Sequence, residues 1–501
     1  MSFELTSEQR EIIQAVGALP KDGSLKIDAC AGSGKTATLV AIANACPDKK
    51  FLYLAFNKAI VTEASNKFPG NVKAVTVNAL AYHWFVGHYG RKPLASLSPY
   101  DVKNMTNLPW KDVGKVIAAY KAYCNSARSA LTEESIKDPV YDTDRYVFQI
   151  LSEIMKGVLP VTHEFYLKMY QLRDKFPELR RYDAILLDEA QDTNDVTFSI
   201  FKRFPGLKIL VGDSHQGIYG FRGAVNQLRF YEADVNLPLS VSFRCCQQAV
   251  DRANFFINLY AEDRETTKPM TSAADDHKLG TMAMLSRTNA ELISVISKIR
   301  SSDRNDFRLV RSADEIFAPA EAVYAFRNGE RVSGEYGWIG KFKSIPEFDE
   351  FVNSDACPAD IFSANRLVNK VKSELFFIKR QAEMIENNED GYVYLSTAHS
   401  SKGLEFDDVM ILPDFCPLFI SAERMADKDL EEKQKLSPQD FQQEVNLLYT
   451  AITRSHLALD DESGNFAQWL ARNDDQIGLN AMQRVRVQYE EQHILHPMNL
   501  P

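Results

Sequence analysis

The residues Ala29-Cys30-Ala31-Gly32-Ser33-Gly34-Lys35-Thr36 restrict the fold of this chain more than any other stretch. Before them Leu25-Lys26-Ile27-Asp28 reads as a strand, and after them Ala37 to Ala45 reads as a helix. A strand that turns through small residues into a helix brings loop N–H groups and a helix N-terminus to one point, a cradle for phosphate oxygens. Ala31, Gly32, Ser33 and Gly34 would wrap the phosphates, Lys35 would reach the β and γ oxygens, and the Thr36 hydroxyl would bind Mg²⁺. Ala29 stands where such a loop usually opens on glycine.

The partner of that loop is Leu186-Leu187-Asp188-Glu189-Ala190-Gln191-Asp192, which continues Tyr182-Asp183-Ala184-Ile185 as an apolar strand ending in two carboxylates. Acids at the C-terminal edge of a strand face the ligand crevice of an α/β sheet. Asp188 is the candidate for holding Mg²⁺, and Glu189 for orienting and deprotonating an attacking water. An acidic cap on the next helix is the plainer alternative. Beside a phosphate loop, the pair instead implies hydrolysis of a nucleoside triphosphate.

At 501 residues the chain exceeds one ordinary core, so several domains are expected. Its net charge of −10 argues against coating nucleic acid through an overall positive field but leaves room for a local groove. Basic residues gather at Lys111, Lys115, Lys121 and Arg128, and again at Lys168, Arg173, Lys175, Arg180 and Arg181; solvated helix faces are the alternative reading. Seven cysteines without a C-x-x-C pair imply reduced thiols and no zinc site. No apolar run is long enough to span a bilayer and Met1-Ser2-Phe3-Glu4 is not a signal-peptide start, so a cytoplasmic chain is expected, with the nucleus also compatible.

Apolar runs at 51–54, 74–77, 184–187 and 207–211 alternate with helical stretches, which predicts a parallel sheet covered by helices. A second strand series begins near Leu237, resumes at 279–285 and continues at 392–395, 409–412 and 457–459. The expected division is a first sheet domain over 1–82 and 182–235 with a helical insertion at 83–181. A second follows over 236–305 and 388–501, with a smaller insertion at 306–387.

Taken in order, these parts resemble superfamily 1 helicases of the UvrD/Rep/PcrA type, most closely the F-box DNA helicase branch and its bacterial or phage relatives. The resemblance rests on further segments. Leu5-Thr6-Ser7-Glu8-Gln9-Arg10 is similar to the family's Q motif, in which Gln9 would read adenine. Ala55-Phe56-Asn57-Lys58-Ala59 and Thr76-Val77-Asn78-Ala79-Leu80-Ala81 resemble its first strand-binding motifs; Asn78 replaces the usual histidine, and the aromatic Phe56 sits one place later than in UvrD. Gly212-Asp213-Ser214-His215-Gln216-Gly217-Ile218-Tyr219-Gly220-Phe221-Arg222-Gly223-Ala224 matches motif III, and Ser242-Phe243-Arg244 resembles motif IV. Ser286-Arg287-Thr288-Asn289 resembles a second-domain motif that would bring Arg287 near the cleft. Thr397-Ala398-His399-Ser400-Ser401-Lys402-Gly403-Leu404-Glu405-Phe406 is similar to motif V, and the segment from Glu444 to Arg454 to motif VI.

The resemblance implies an α/β fold of two RecA-like P-loop NTPase domains with parallel sheets, each carrying a mostly helical insertion. It implies ATP and Mg²⁺ as cofactors and single-stranded and partly duplex DNA as partners, with no membrane. Catalysis would rest on Lys35, Asp188, Glu189, Gln216, Arg244 and Arg454, the last as an arginine finger. Phe243 and Glu405 would join the phosphate loop in binding ATP. Phe56, Asn57, Thr76, Asn78, Tyr219, Phe221, Arg222, Thr397, His399 and Ser400 would contact DNA. The activity implied is ATP-dependent 3′–5′ translocation and unwinding, in repair, recombination or replication. The rival reading is a DNA-activated ATPase switch without autonomous unwinding, which the small second insertion favours. No F-box segment stands before Leu5 and no nuclease-length stretch follows Arg454, so neither function is expected.

Overall fold

In the computed structural model, residues 4–55, 57–91, 96–129, 143–261, 267–300, 304–431 and 434–472 are described. Two parallel sheets organise them. The first has six strands, β1 (Ser24–Ala29), β2 (Phe51–Ala55), β3 (Val72–Thr76), β4 (Ala184–Leu187), β5 (Leu207–Gly212) and β6 (Val235–Leu239), in the order β3-β2-β4-β5-β1-β6. The second has five, β7 (Met282–Ser286), β8 (Phe307–Leu309), β9 (Val393–Thr397), β10 (Phe406–Ile411) and β11 (Ser455–Asp461), in the order β8-β9-β7-β10-β11. Every residue of β2 and β4 is buried, as expected of strands covered on both faces.

One face of the first sheet, Leu25, Ile27 and Ala29, packs on α1 (Ser7–Ala18) and α2 (Lys35–Ala45) through Ile12, Val16, Leu39 and Ile42. The other face carries Leu52, Leu54, Ile185 and Leu187 into the core of the first insertion. β5 lies between β1 and β4, with Leu25 opposite Ile209 and Ala184 opposite Leu207. The phosphate loop and the acidic pair therefore stand two strand spacings apart, roughly 10 Å. That gap is wide enough for phosphates and a water. Within the second sheet domain, helices Gln247–Tyr260 and Pro438–Ile452 bury Ala253, Phe256, Val445, Leu448 and Ile452 against one face of the sheet.

Two expected boundaries shift. The strand near Leu237 belongs to the first sheet, because β6 pairs with β1 in register from Leu25–Val235 to Ala29–Leu239; the second domain begins after it. Phe307–Leu309, placed in the second insertion by the sequence, pairs with β9 and is the edge strand of the second sheet. The insertions themselves are helical, and they meet each other. Trp110 lies 5.3 Å from Phe342 and 4.9 Å from Phe351, ring centre to ring centre, and Tyr100 lies 5.3 Å from Phe342. Gly114 lies so close to the partner backbone that a Cβ there would come within 2.7 Å of Ala356 N. Among the described residues, no helix is long and apolar enough to cross a membrane.

Candidate functional site

The phosphate loop connects β1 to α2 and needs glycine at two positions. Gly32 and Gly34 have φ of +69° and +80°, and a Cβ on Gly32 would stand 2.4 Å from Arg244 Cβ. That approach comes from the second half of the chain, whose Phe243 N–H donates to Gly32 O at 3.0 Å. Lys35 and Thr36 occupy the first turn of α2 and are partly exposed. Gln9 is buried beside the loop. Its Oε1 accepts the Thr6 N–H at 3.0 Å in a capping box, and its Nε2 donates to Thr38 Oγ1 at 3.0 Å.

Asp188 and Glu189 leave the end of β4, Glu189 in the left-handed region at φ +52°. Asp188 is buried; its Oδ2 accepts the Tyr53 hydroxyl in a short bond and its Oδ1 accepts the Glu189 N–H at 2.9 Å. Burial, and then the neighbouring Glu189 charge, push its carboxyl above the usual range. A cation beside it would relieve that penalty. The Thr36 hydroxyl and Asp188 carboxylate are hard oxygen donors, which suits Mg²⁺ that takes its remaining ligands from phosphate and water. Burial alone would push Glu189 up as well, but Lys402 and Lys35 overturn it and hold Glu189 ionised.

Lys402 is the main tie across the cleft. From the second domain its Nζ meets Glu189 Oε2 at 3.1 Å, makes a short bond to Asp192 and donates to Gln216 O at 3.0 Å. Burial pushes Asp192 up to about 6 against the opposing Lys402 charge. Gln216 Nε2 donates to Asp213 Oδ2 at 2.9 Å. Asn446, on the Pro438–Ile452 helix, donates to Gly217 O at 2.9 Å.

Two arginines expected at the γ-phosphate are held in other bonds. Arg244 Nε donates to Glu405 Oε2 at 2.8 Å, so two residues expected to bind ATP pair with each other. Arg454 is buried, donating to Thr450 O at 2.9 Å and Leu404 O at 3.1 Å, and burial with the Arg244 charge pushes it down to about 10. Arg287 is bound bidentately by Glu444 inside the second domain.

On the far side of the Gln216 segment the chain forms an aromatic groove. Tyr219 and Phe221 lie 6.1 Å apart, and His399 of the second domain lies 6.3 and 5.6 Å from them. Arg222 stands 5.2 Å from the Tyr219 ring and 5.4 Å from the Phe221 ring. Phe221 is 64% exposed, an open platform between two domains. Burial, with the Arg287 charge, pushes His399 down to about 4, so the ring is neutral near pH 7. Thr397 Oγ1 donates to Ser400 Oγ at 3.0 Å, fixing the turn that carries His399.

Asn57 and Thr76 act as helix N-caps, accepting Ile60 N–H at 2.9 Å and Ala79 N–H at 3.1 Å. Thr76 and the exposed Asn78 line a cavity of about 110 Å³ whose other wall includes Asp188 and Asp192. Phe56 lies outside the described residues. The second basic cluster is split: Lys175, Arg180 and Arg181 are exposed, while Lys168 and Arg173 are held by the fold. Lys168 donates to Ser126 O at 3.0 Å, and Arg173 pairs with Glu178 at 2.6 Å over the Trp84 ring.

Residues 91–233 match the model of the UvrD/REP helicase N-terminal domain. The chain is 29% identical over 525 residues to F-box DNA helicase protein 1 of Schizosaccharomyces pombe, covering 90% of this chain and 56% of that protein. It is 27% identical to F-box DNA helicase 1 of Gallus gallus, covering 91% and 49% respectively. A shorter stretch of 217 residues, 39% of this chain and 28% of the relative, is 35% identical to ATP-dependent DNA helicase PcrA of Leuconostoc citreum. The chain is thus similar to UvrD/Rep helicases. It spans about half the length of the F-box helicases it matches.

Within this UvrD/Rep frame, the sequence left several residues of the cleft without a role. Lys402 sits inside the stretch similar to motif V, yet its pairing with Asp192 crosses 210 residues and has no local signal. Tyr53 is a strand residue whose bond to Asp188 depends on β2 lying beside β4. Gln191, Asp213 and Tyr449 were visible only as members of motifs.

Proposed function

We propose that this chain is an ATP- and Mg²⁺-dependent motor that moves 3′ to 5′ along single-stranded DNA and unwinds adjoining duplex. The observation that carries the reading is that the nucleotide cleft and the aromatic groove are built from the same two segments. Gln216 faces the cleft while Tyr219, Phe221 and Arg222 form the groove; Lys402 holds Glu189 while His399, three residues earlier, meets Phe221. A change in one region therefore displaces the other. The similarity to DNA helicases supports DNA as the track, and the resemblance to UvrD, Rep and PcrA supports the polarity.

In this reading Glu189, ionised, takes the proton of the attacking water, and Gln216 orients that water. Lys35 from the first domain and Arg244 and Arg454 from the second stabilise charge developing on the γ-phosphoryl group. Thr36 and Asp188 would hold Mg²⁺, which when bound would supply further neutralisation of the phosphate charge. Arg244 would exchange Glu405 for phosphate, and Arg454 would leave its carbonyl partners. Tyr219 and Phe221 stack on bases, an interaction tolerant of sequence and worth about 1–3 kcal/mol per base.

The test is phosphate release with and without single-stranded DNA, beside unwinding of duplexes with a 3′ or a 5′ overhang. Stimulation by DNA and unwinding from the 3′ overhang are expected. Lys35→Ala should abolish hydrolysis, and Glu189→Gln should slow it by on the order of 10²–10⁴-fold. Wild-type turnover in either variant would place the chemistry elsewhere. Stimulation without unwinding would identify a DNA-activated switch.

A further inference from the structure

Tyr449 lies on the Pro438–Ile452 helix of the second sheet domain and is 1% exposed, yet both partners of its hydroxyl belong to the first domain. The oxygen accepts the Ala31 N–H of the phosphate loop at 3.4 Å and donates to Asp213 Oδ2 at 3.1 Å. That same Oδ2 accepts Gln216 Nε2 at 2.9 Å, and Asp213 Oδ1 accepts the His215 N–H at 3.0 Å. Asp213 has a further arm. Its own N–H donates to Gln191 Oε1 at 3.2 Å, and Gln191 Nε2 donates to Glu189 Oε2 at 2.6 Å.

One hydroxyl thus stands between the phosphate loop and the carboxylate that aims Gln216. Burial pushes the phenol far above its ordinary pKa, so it stays a neutral O–H and always has a proton to donate. A cavity of about 480 Å³ adjoins it, lined also by Asp28, Cys30 and His215.

Resting on the reading of the cleft as an ATPase, we propose that Tyr449 is a positioning residue that ties the phosphate loop to Gln216 through Asp213. It reports from the second domain, so Gln216 is correctly aimed only while the two sheet domains are docked. Without the phenol hydroxyl, Asp213 loses one of two donors to Oδ2 and Gln216 is no longer held in one orientation.

Tyr449→Phe removes that oxygen and keeps the ring, so the helix packing survives. The experiment measures ATP hydrolysis of the whole chain with Mg²⁺ and single-stranded oligothymidylate. The stimulated kcat should fall about tenfold, with the KM for ATP and the thermal midpoint nearly unchanged. Adding Tyr449→Phe to Gln216→Ala, read by single turnover, should cost less than about twofold, because the end of the relay is already gone. Wild-type kcat in Tyr449→Phe would overturn the proposal, as would a change in KM alone. So would a tenfold loss repeated in full on the Gln216→Ala background. A wild-type chain that hydrolyses no ATP overturns the functional reading, and the relay with it; that failure is visible in the wild-type control alone.

Discussion

At the nucleotide cleft the two sheet domains are tied by charge and directed hydrogen bonds, beside a small apolar contact in which Ala31 and Ile218 join the second domain's core. Lys402 bridges Glu189 and Asp192, Asn446 reaches Gly217 O at 2.9 Å, and Tyr449 reaches Asp213 at 3.1 Å. Between the two insertions, contact is made by rings. Tyr100 and Trp110 pack on Phe342 and Phe351, with the ion pair of Lys341 and Asp101 at 2.8 Å on the rim. Polar bonds can be exchanged for a nucleotide's phosphates at little net cost, since one set of partners replaces another. Apolar burial has no such substitute. The cleft is therefore the joint that a ligand can rework, and the aromatic clasp is the joint that keeps the two halves together while it does so.

The largest effect should come from Lys402→Ala. It strands the buried Asp192 and the half-buried Glu189 without their shared cation, at a cost of about 3–5 kcal/mol. A lowered urea midpoint is expected, together with a loss of DNA-stimulated hydrolysis. A stability equal to wild type would mean that the cleft contacts are as exchangeable without ligand as with it.

Trp110→Ala tests the clasp with a comparable cost of about 3–5 kcal/mol, since Trp110 is only 2% exposed in a dense aromatic setting. Gly114→Leu approaches the same interface from the backbone, where a Cβ would already meet Asp355 C at 2.7 Å. Both should increase the radius of gyration measured by solution scattering. If neither does, the insertions are held by contacts other than the rings.

Much of this arrangement was legible in the sequence, and the part that was not has a common cause. The phosphate loop could be read because its glycines answer a local demand, positive φ beside a helix start. Asp188 and Glu189 could be read because consecutive acids at the end of an apolar strand have few other uses. The strand around Leu237 was visible as a strand, but an apolar run does not say which sheet it joins; pairing with β1 decided it. Phe307–Leu309 is three residues long and carries no pattern of its own. The ties of Lys402 and the meeting of Trp110 with Phe342 join residues far apart in the chain, and spacing cannot encode them. The expected arginine finger shows the same limit: motif similarity located Arg454, while its bonds to Thr450 O and Leu404 O are a property of the folded second domain.

Phe221→Ala examines the groove, which shares residues with the cleft but is exposed. Removing one stacking platform should weaken binding to single-stranded DNA by about 1–3 kcal/mol, measured by fluorescence anisotropy. Unchanged affinity would place the DNA track away from the Tyr219, Phe221 and His399 cluster.

The smallest effect should be Lys341→Ala. This removes the rim ion pair with Asp101, in which the lysine side chain is 49% exposed and the aspartate 22%. Water already solvates both groups, and salt screens what attraction remains, so the loss should be about 0.2–1 kcal/mol and shrink further at high ionic strength. The same type of bond, lysine to carboxylate, is then worth several-fold less at the clasp than at Lys402, because burial rather than charge sets its value. A loss at Lys341 as large as that at Lys402, surviving molar salt, would show that the clasp also depends on electrostatics and that the contrast between the two joints is wrong.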